Sequence, residues 1–212
     1  MKMKKLIIVG AGGFGREVLG YALEIQKTQN CWEVAGFIDD NLSSLDNYDK
    51  SYKIIGTVKD HSVREEEVFI CAIGDPVSKL KVCRQLEDKG AEFINLIHPT
   101  SIIGNSCKIG KGLIMAPFSI ITQNVNIGNF VTINIFSSFG HDSVAEDGCT
   151  LSAHCDVTGF AYLEEGVFLG SNAVIKPTVR IGKYSRIGIG SVVLKSVPDN
   201  VVVFGNPAKI VF

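Results

Sequence analysis

His141 and Asp142 are adjacent in the sequence and form a pair suited to general base catalysis. An imidazole titrates near neutral pH and accepts a proton from an attacking group, while a neighbouring carboxylate steadies the ring. Gly159 follows His141 by 18 residues and leaves its backbone N–H open to a ligand, because it has no side chain. Such an N–H stabilises a developing oxyanion. The three residues therefore indicate acyl transfer; the alternative for His141 is an exposed polar edge without a catalytic role.

A repeat of six residues in the second half of the chain explains the spacing of 18 residues between His141 and Gly159. Residues 101–196 divide into 16 hexads without a gap, and the third place of every hexad is apolar. The first place holds only Ser, Cys, Leu, Val or Ala. This pattern predicts one short strand per hexad with its first and third places inward, and three such strands close one coil. Gly159 then lies one coil above His141, about 4.8 Å away. A β-sandwich also predicts alternation, but not an unbroken period of six.

The first half of the chain alternates between strand and helix patterns. Asp75 is the predicted N-cap of a helix with Pro76 at its first position. We predict a small parallel, Rossmann-like α/β domain over residues 1–98 and an all-β parallel β-helix with a C-terminal tail over residues 99–212. Residues 41–53 are polar and predict a mobile loop. Four apolar runs predict the strands of the α/β domain: Lys4–Val9, 34–38, 68–73 and 93–97.

A glycine-rich loop follows the first predicted strand and matches GxGxxG at Gly10, Gly12 and Gly15. Three interpretations are open: a full dinucleotide site, glycine amides that hold a phosphate of a nucleotide-activated substrate, or strand–helix packing without a ligand. The α/β region is only about half of a two-part dinucleotide domain, which favours the second interpretation. Asp39 or Asp40 would then accept hydrogen bonds from the base or the sugar. The predicted substrate-binding residues are Gly10, Gly12, Gly13, Phe14, Gly15, Asp39, Asp40 and Gly74.

The other histidines and the cysteines have structural explanations. His61 lies in a polar segment and is predicted at the surface, His98 precedes the repeat as a structural cap, and His154 occupies a corner of the coil. The cysteines form no CxxC pair and follow no secretion signal, so we expect reduced thiols in a cytoplasmic protein. Three of them occupy first places of hexads, where core packing explains them: Cys107, Cys149 and Cys155.

The balance of charge argues against two classes of partner. The chain has 21 Lys and Arg against 22 Asp and Glu, so neither nucleic acid nor an anionic membrane surface is predicted. The apolar run at residues 6–9 is too short for a signal peptide. No apolar stretch approaches the length of a membrane span.

The repeat, the glycine-rich loop and the Gly-Asn-Pro-Ala-Lys ending at 205–209 together resemble the hexapeptide-repeat nucleotide-sugar acetyltransferases. That family joins a small α/β domain to a left-handed β-helix. It includes the bacillosamine- and perosamine-pathway sugar N-acetyltransferases and the related sialic acid O-acetyltransferases. The resemblance implies a homotrimer with active sites between subunits, acetyl-CoA as co-substrate, a nucleotide-linked amino sugar as acceptor, and no metal.

The resemblance also implies roles for individual residues. His141 corresponds to the general base and Asp142 to the acidic residue that orients it. Asn134, seven residues before His141, corresponds to an asparagine near the substrate amine. The amide of Gly159 corresponds to the one that meets the acetyl carbonyl. We further expect four residues along the pantetheine and phosphate track of acetyl-CoA: Gly170, Ser171, Ala208 and Lys209.

Two positions depart from the family pattern and leave the nucleotide and the sugar open. Phe14 stands where the family often has a histidine that contacts the sugar nucleotide, and Thr150 where some members have a histidine that touches CoA. We expect acetyl transfer to an amino group, the 4-amino group, of a nucleotide-linked sugar. Three alternatives remain: a sialic acid type of sugar O-acetyltransferase, a γ-carbonic-anhydrase-like metalloenzyme, and a non-catalytic trimeric nucleotide-sugar-binding scaffold. The metalloenzyme needs three converging histidines, and the corner position of His154 does not suit such a set.

Overall fold

The computed structural model describes residues 3–29, 31–48 and 51–211, which contain two helices and 23 strands. Residues 41–48 form turns, while residues 49 and 50 of the predicted mobile loop lie outside the described residues. The helices are α1 (Gly13–Gln29) and α2 (Pro76–Glu87). The strands are β1 (Lys4–Val9), β2 (Trp32–Ile38), β3 (Ile54–Gly56), β4 (Glu67–Cys71), β5 (Leu96–Ile97), β6 (Ile102–Ile103), β7 (Lys108–Ile109), β8 (Ile114–Met115), β9 (Ile120–Ile121), β10 (Asn126–Ile127), β11 (Thr132–Ile133), β12 (Ser138–Phe139), β13 (Val144–Ala145), β14 (Thr150–Leu151), β15 (Asp156–Val157), β16 (Tyr162–Leu163), β17 (Phe168–Leu169), β18 (Val174–Ile175), β19 (Arg180–Ile181), β20 (Arg186–Ile187), β21 (Val192–Val193), β22 (Val202–Gly205) and β23 (Ala208–Ile210).

The first four strands form a parallel sheet in the order β3-β2-β1-β4, which confirms the α/β fold of the first part. Leu6 and Ile8 of β1 pack in the same core as α1, and Ile7 and Val9 pack in the core that contains α2. A strand covered on both faces needs an uninterrupted apolar run, which β1 has. The side chain of Asp75 accepts a hydrogen bond from the Ser78 N–H at 3.0 Å, so the predicted N-cap of α2 is confirmed.

The chain leaves the α/β sheet earlier than the sequence predicts. Phe93 forms one isolated bridge with Phe69, whereas β5 pairs with β8 of the repeat region. The side chain of Asn95 accepts a hydrogen bond from the Leu113 N–H and donates one to the Gly110 carbonyl, both at 2.9 Å. The run at 93–97 is therefore divided between the two parts of the molecule because Asn95 attaches its second half to the coils. The strand β3, which the sequence pattern does not predict, lies at the far edge of the sheet.

The later strands form the three faces of a left-handed parallel β-helix. Face 1 contains β5, β8, β11, β14, β17, β20 and β22, followed by the antiparallel β23; face 2 contains β6, β9, β12, β15, β18 and β21; face 3 contains β7, β10, β13, β16 and β19. Paired residues are one predicted coil apart, as in Ser138 and Asp156. Third-place side chains such as Ile127, Leu151 and Leu169 fill the interior. The period of six and the phase of the repeat are confirmed.

The corners of the coil depend on a backbone conformation that L-residues rarely adopt. Every sixth place from Ser106 to Gly190 has a positive φ, including Asp142 at 59° and Phe160 at 61°. Glycine and asparagine tolerate this left-handed region, but phenylalanine and histidine reach it only where the surrounding structure requires it. Here the ladder bonds on either side of each corner supply that requirement. The result is that side chains at fifth and sixth places are displayed along the three edges.

Helix α2 attaches the α/β domain to face 1. The side chain of Lys79 is 1% exposed, and its Nζ donates to Thr132 Oγ1 at 3.1 Å, Thr150 Oγ1 at 2.7 Å and the Cys149 carbonyl at 3.2 Å. A side chain at Gly148 would overlap Leu80 of α2, which shows how closely the helix approaches the coils. Helix α2 therefore covers part of face 1 and of its edge with face 3, whereas the side chains of Ile102 and Ile120 on face 2 are exposed. The position of Thr150 under α2 also separates it from the edge that carries His141.

Two further observations concern the cysteines and the length of the helices. All six cysteines are free. No helix within the described residues is long and apolar enough to cross a membrane.

Candidate active site

His141 lies at the edge between face 2 and face 3, which we call the His141 edge. Its Nδ1 is 2.8 Å from Asp142 Oδ2, and its side chain is 61% exposed. A carboxylate only accepts, so Nδ1 carries the hydrogen of a neutral ring and Nε2 is left as the basic nitrogen. The left-handed corner at Asp142 turns its carboxylate back toward the preceding residue. The predicted pair is thus in contact, with its basic atom on the open side of the ring.

Gly159 lies one coil above His141 at the same edge, as predicted. A Cβ at Gly159 would be 2.9 Å from both Cε1 and Nε2 of His141, so only glycine fits beside the ring in this position. The same crowding holds at Gly140, whose Cβ would be 2.6 Å from the Gly159 nitrogen. Within residues 3–29, 31–48 and 51–211 no acceptor binds the Gly159 N–H. A base and a free backbone donor therefore stand side by side at this edge.

Asn134 does not lie near His141 within one chain. It occupies the fourth place of its hexad, at the edge between face 1 and face 2, and its Oδ1 accepts a hydrogen bond from the Ile135 N–H at 2.7 Å. The whole width of face 2 separates this edge from the His141 edge. The seven residues from Asn134 to His141 carry the chain along the strand of face 2, from one corner of the coil to the next.

Two of the residues predicted for acetyl-CoA share the edge of Asn134. Gly170 lies two coils above Asn134, and its N–H donates to the Ile187 carbonyl at 2.8 Å. The carbonyl of the adjacent Ser171 accepts the Gly190 N–H at 2.8 Å. The other two predicted residues, Ala208 and Lys209, belong to β23 at the end of face 1. Six of the predicted site residues of the β-helix are therefore divided between the two edges that flank face 2, and the other two lie at the end of face 1.

An aromatic stack marks the edge that carries Asn134, which we call the Phe136 edge. The rings of Phe118 and Phe136 are 5.1 Å apart with planes at 12°, and the rings of Phe136 and His154 are 5.0 Å apart with planes at 7°. Both phenylalanines are about half exposed. On face 2 itself the side chains of Ile102 and Ile120 are also exposed. Contiguous exposed apolar surface of this kind marks an interaction site.

The glycines of the glycine-rich loop differ in whether close packing explains them. A Cβ at Gly15 would overlap the carbonyl of Gly10, and Gly10 has a φ of 97°, so close packing explains these two. A Cβ at Gly12 would meet nothing within 4 Å, and one at Gly13 would meet only Arg16, at 3.9 Å. Packing therefore does not explain Gly12 and Gly13, at the beginning of α1.

The predicted acceptors at the end of β2 have partners within the chain. Asp39 accepts from the Ala11 N–H at 2.7 Å and from the Asn41 N–H at 2.8 Å. Asp40 accepts from the Val58 N–H at 2.9 Å. Both carboxylates hold loops in place, and binding of the base or the sugar through them stays a prediction.

Two other predicted residues complete this region. Phe14 is half-buried against the core that contains α1. Gly74 has open space around its Cα, since a Cβ there would meet nothing within 4 Å. Gly74 lies between β4 and α2, so it shares the carboxyl edge of the parallel sheet with the glycine-rich loop. Crevices at that edge are where open α/β sheets bind ligands.

The remaining histidines are structural. His98 is buried, with Nε2 2.8 Å from Glu24 Oε2 and Nδ1 2.8 Å from Thr100 Oγ1, in agreement with the predicted cap. The surface prediction for His61 is wrong, because its side chain is 9% exposed and its Nε2 is 2.9 Å from Glu67 Oε2. The described residues contain no group of three or more His, Cys, Asp or Glu that could hold a metal ion.

One residue at the His141 edge was missed by the sequence analysis. The ring of Phe160 is 5.2 Å from the imidazole of His141, centroid to centroid, with planes at 89°. The repeat contains the signal that finds it, because Phe160 is one coil above Asp142 in the same sixth place.

Known proteins have sequences and structures similar to those of this chain. Residues 5–86 match the family described as the PglD N-terminal domain. The GDP-perosamine N-acetyltransferase of Escherichia coli O157:H7 is 33% identical over 212 residues, which covers 95% of this chain and 94% of that protein. The structure of WeeI from Acinetobacter baumannii AYE matches with a TM-score of 0.88 and 31% identity, over 99% of this chain and 100% of that one.

A third similar protein is perosamine N-acetyltransferase from Caulobacter crescentus, solved as a histidine-to-asparagine mutant in complex with CoA and GDP-perosamine. Its structure matches with a TM-score of 0.87 and 26% identity, over 97% of this chain and 96% of that one. With the glycine-rich α/β domain, the hexapeptide β-helix and the His141 edge in place, these matches show that the chain belongs to the hexapeptide-repeat nucleotide-sugar acetyltransferases, a family of acetyl-CoA-dependent enzymes.

Proposed function

We propose that the chain transfers the acetyl group of acetyl-CoA to the 4-amino group of a nucleotide-linked sugar, with His141 as general base. The observation that carries the proposal is the His141–Asp142 pair directly below the free N–H of Gly159. A base and an oxyanion donor this close together address the two ends of one acyl-transfer step.

In the proposed step the sugar amine attacks the thioester carbonyl while Nε2 of His141 accepts the amine proton. The C–N bond forms as the carbonyl electrons move to oxygen, where the Gly159 N–H stabilises the charge. The tetrahedral species then expels the CoA thiolate, which takes a proton from the imidazolium. The base contributes roughly 10²- to 10⁴-fold to the rate, and the oxyanion donor roughly 10²- to 10³-fold. The balance of atoms requires neither a metal nor a covalent acyl-enzyme.

The proposed active unit is a homotrimer in which each site lies between two subunits. The support is the division of the predicted residues: His141 and Gly159 lie on one edge of face 2, while Asn134 and Gly170 lie on the other. A second copy that places its Phe136 edge against the His141 edge brings Asn134 of the partner subunit toward the imidazole. The same contact covers the aromatic stack and exposed apolar side chains of face 2, which lowers the cost of exposing them to water.

The two substrates, the nucleotide sugar and acetyl-CoA, are proposed to bind to different parts of the chain. The nucleotide sugar binds to the domain at 1–98, where packing does not require Gly12, Gly13 or Gly74 to be glycine. Acetyl-CoA binds along the β-helix at 99–212. The relatives that act on or bind GDP-perosamine make a GDP-linked 4-amino sugar the first acceptor to test.

The test is a comparison of acceptors with the purified full chain and acetyl-CoA, in which release of the CoA thiol is measured. GDP-perosamine, UDP- and dTDP-linked 4-amino sugars and free sialic acid are supplied side by side. We expect thiol release with one amino-sugar nucleotide and none with sialic acid. Turnover with the hydroxyl acceptor alone would identify an O-acetyltransferase. Nucleotide-sugar binding in a thermal-shift assay without any thiol release would identify a binding scaffold.

A further inference from the structure

Phe160 is one of several aromatic residues at sixth places of the hexads, and it is the one beside His141. It is 56% exposed, and its backbone lies in the left-handed region at a φ of 61°, which a bulky side chain adopts at a cost. Its N–H donates to the carbonyl of His141 at 3.0 Å, so the ladder places the two residues in register. Burial in the core does not explain a side chain of this size at this corner.

The contact that Phe160 makes is with the imidazole of His141. The two rings are perpendicular, with centroids 5.2 Å apart, which is the edge-to-face geometry that aromatic pairs prefer. Among the described residues, neither of these two rings contacts another aromatic ring. The imidazole is therefore in contact with Asp142 at Nδ1, with Phe160 across its plane, and with the Cα side of Gly159 near Nε2.

A single hydrogen bond does not hold an exposed imidazole in one orientation. The bond from Nδ1 to Asp142 fixes one atom, while the ring, which is 61% exposed, is still free to tilt about that atom. A perpendicular aromatic ring one coil above blocks this motion, because tilting would drive the imidazole into it. Reactive groups need such restriction, since small misplacements of a catalytic group lower rates substantially.

We propose that Phe160 is a positioning residue for His141: its ring holds the imidazole plane so that Nε2 points to the position of the substrate amine beside the Gly159 N–H. The proposal rests on the proposed function of His141 as general base. Phe160 touches His141 and neither forms nor breaks a bond.

Two substitutions at the same position separate the aromatic ring from apolar bulk. Phe160→Leu keeps an apolar side chain and removes the flat ring, whereas Phe160→Tyr keeps the ring. With the acceptor identified in the comparison above, we expect Phe160→Leu to lower kcat by about three- to tenfold with a KM for acetyl-CoA within about twofold of wild type. Phe160→Tyr is expected to restore kcat to within about twofold of wild type. Equal kcat in wild type and Phe160→Leu, or equal losses in the two variants, would overturn the proposal.

A second measurement does not depend on turnover. In protein with ¹³C-labelled histidine, the Cε1–H signal of His141 is identified by its loss in His141→Asn. We expect Phe160→Leu to move this signal, and Phe160→Tyr to leave it close to wild type. An unchanged His141 signal in Phe160→Leu contradicts the proposal, whereas a His141→Ala variant with normal turnover removes the proposed general base and the positioning role together. Loss of turnover in His141→Ala beside an unaffected Phe160→Leu leaves the proposed function standing without Phe160.

Discussion

At the His141 edge, a carboxylate, a backbone amide and an aromatic ring surround one imidazole. Asp142 belongs to the same coil as His141, whereas Gly159 and Phe160 belong to the coil above. The stacking of coils thus brings residues 18 positions apart as close as neighbours in the chain. Two predictions belong to this scale, because each concerns a single residue outside the core.

Replacing His141 with alanine should lower kcat by at least about 100-fold, the smallest contribution usual for a general base. The side chain is 61% exposed, so its loss opens no cavity and should leave the melting temperature and the oligomer size near wild type. Thiol release, differential scanning fluorimetry and size-exclusion chromatography measure the three quantities. Near-normal turnover would remove the general-base assignment.

Replacing Gly159 with alanine should also abolish most activity, for a steric reason. Its Cβ would be 2.9 Å from Cε1 and Nε2 of His141, so the ring would have to move away from the free N–H. We expect a fall in kcat of about 10²-fold or more. Gly20→Ala is the matched control, because a Cβ at Gly20 in α1 meets nothing within 4 Å and should leave kcat unchanged. A fully active Gly159→Ala enzyme would contradict the proposed site.

At the scale of elements, the fold depends on the column of third-place side chains inside the β-helix and on the attachment of α2 to face 1. The column is read directly from the repeat, as the buried Ile127 and Leu169 show. The attachment through Lys79 has no sequence signal, since an isolated lysine in a helix is ordinarily solvated. These two features lead to one prediction each.

Replacing Ile127 with aspartate should prevent folding. The side chain is 4% exposed in the core of the β-helix, so an unpaired carboxylate would be buried there. Asn126→Asp is the matched control, because Asn126 is the exposed residue beside it in β10 and points outward. We expect insoluble or unfolded Ile127→Asp protein and a normal circular dichroism spectrum for the control. A folded Ile127→Asp variant would mean that inward places tolerate charge.

The stability of the protein should rise between about pH 8 and pH 10.5 through Lys79. Burial lowers the pKa of Lys79 from 10.5 to about 8, so above pH 8 the folded state releases a proton that the unfolded state still holds. Because the unfolded state then binds more protons, the free energy of unfolding increases with pH in this window. Urea unfolding of wild type and Lys79→Met at several pH values measures it, and the difference between the two curves removes contributions of other groups. A difference that is flat or falls with pH would contradict a lowered pKa for the buried Lys79.

At the scale of the whole molecule, the proposed site takes residues from more than one chain, because its predicted residues lie on two edges. Asn134 and His141 lie on opposite sides of face 2, and the exposed stack of Phe118 and Phe136 lies on the same edge as Asn134. A closed ring of subunits satisfies both observations, because each subunit then presents one edge to each neighbour.

Mixed oligomers test this arrangement. His141→Ala and Asn134→Ala should each be impaired alone, but subunits refolded or coexpressed together should regain part of the wild-type turnover. The reason is that a site composed of His141 from one variant and Asn134 from the other has both residues. Thiol release by the mixture, compared with each variant at the same total concentration, measures the recovery. A mixture no more active than its components would show that the two residues do not share an intersubunit site.

The amino-acid sequence was enough to predict the β-helix, the coil of 18 residues and the closeness of His141 to Asp142 and Gly159. It also determined the α/β sheet and the cap of α2. These features depend on local periodicity and on neighbours one coil apart. Both can be read from the order of residues in a regular repeat.

The folded structure was needed to show which predicted residues share an edge and how the two parts of the chain attach. It placed Asn134 across face 2 from His141, buried Lys79 and His61, and set Phe160 against the imidazole. The physical reason is that these contacts join surfaces whose shapes arise only after the coils and the sheet have formed. A spacing in the sequence fixes the place of a residue within its coil, whereas the packing of complete elements decides what that residue touches.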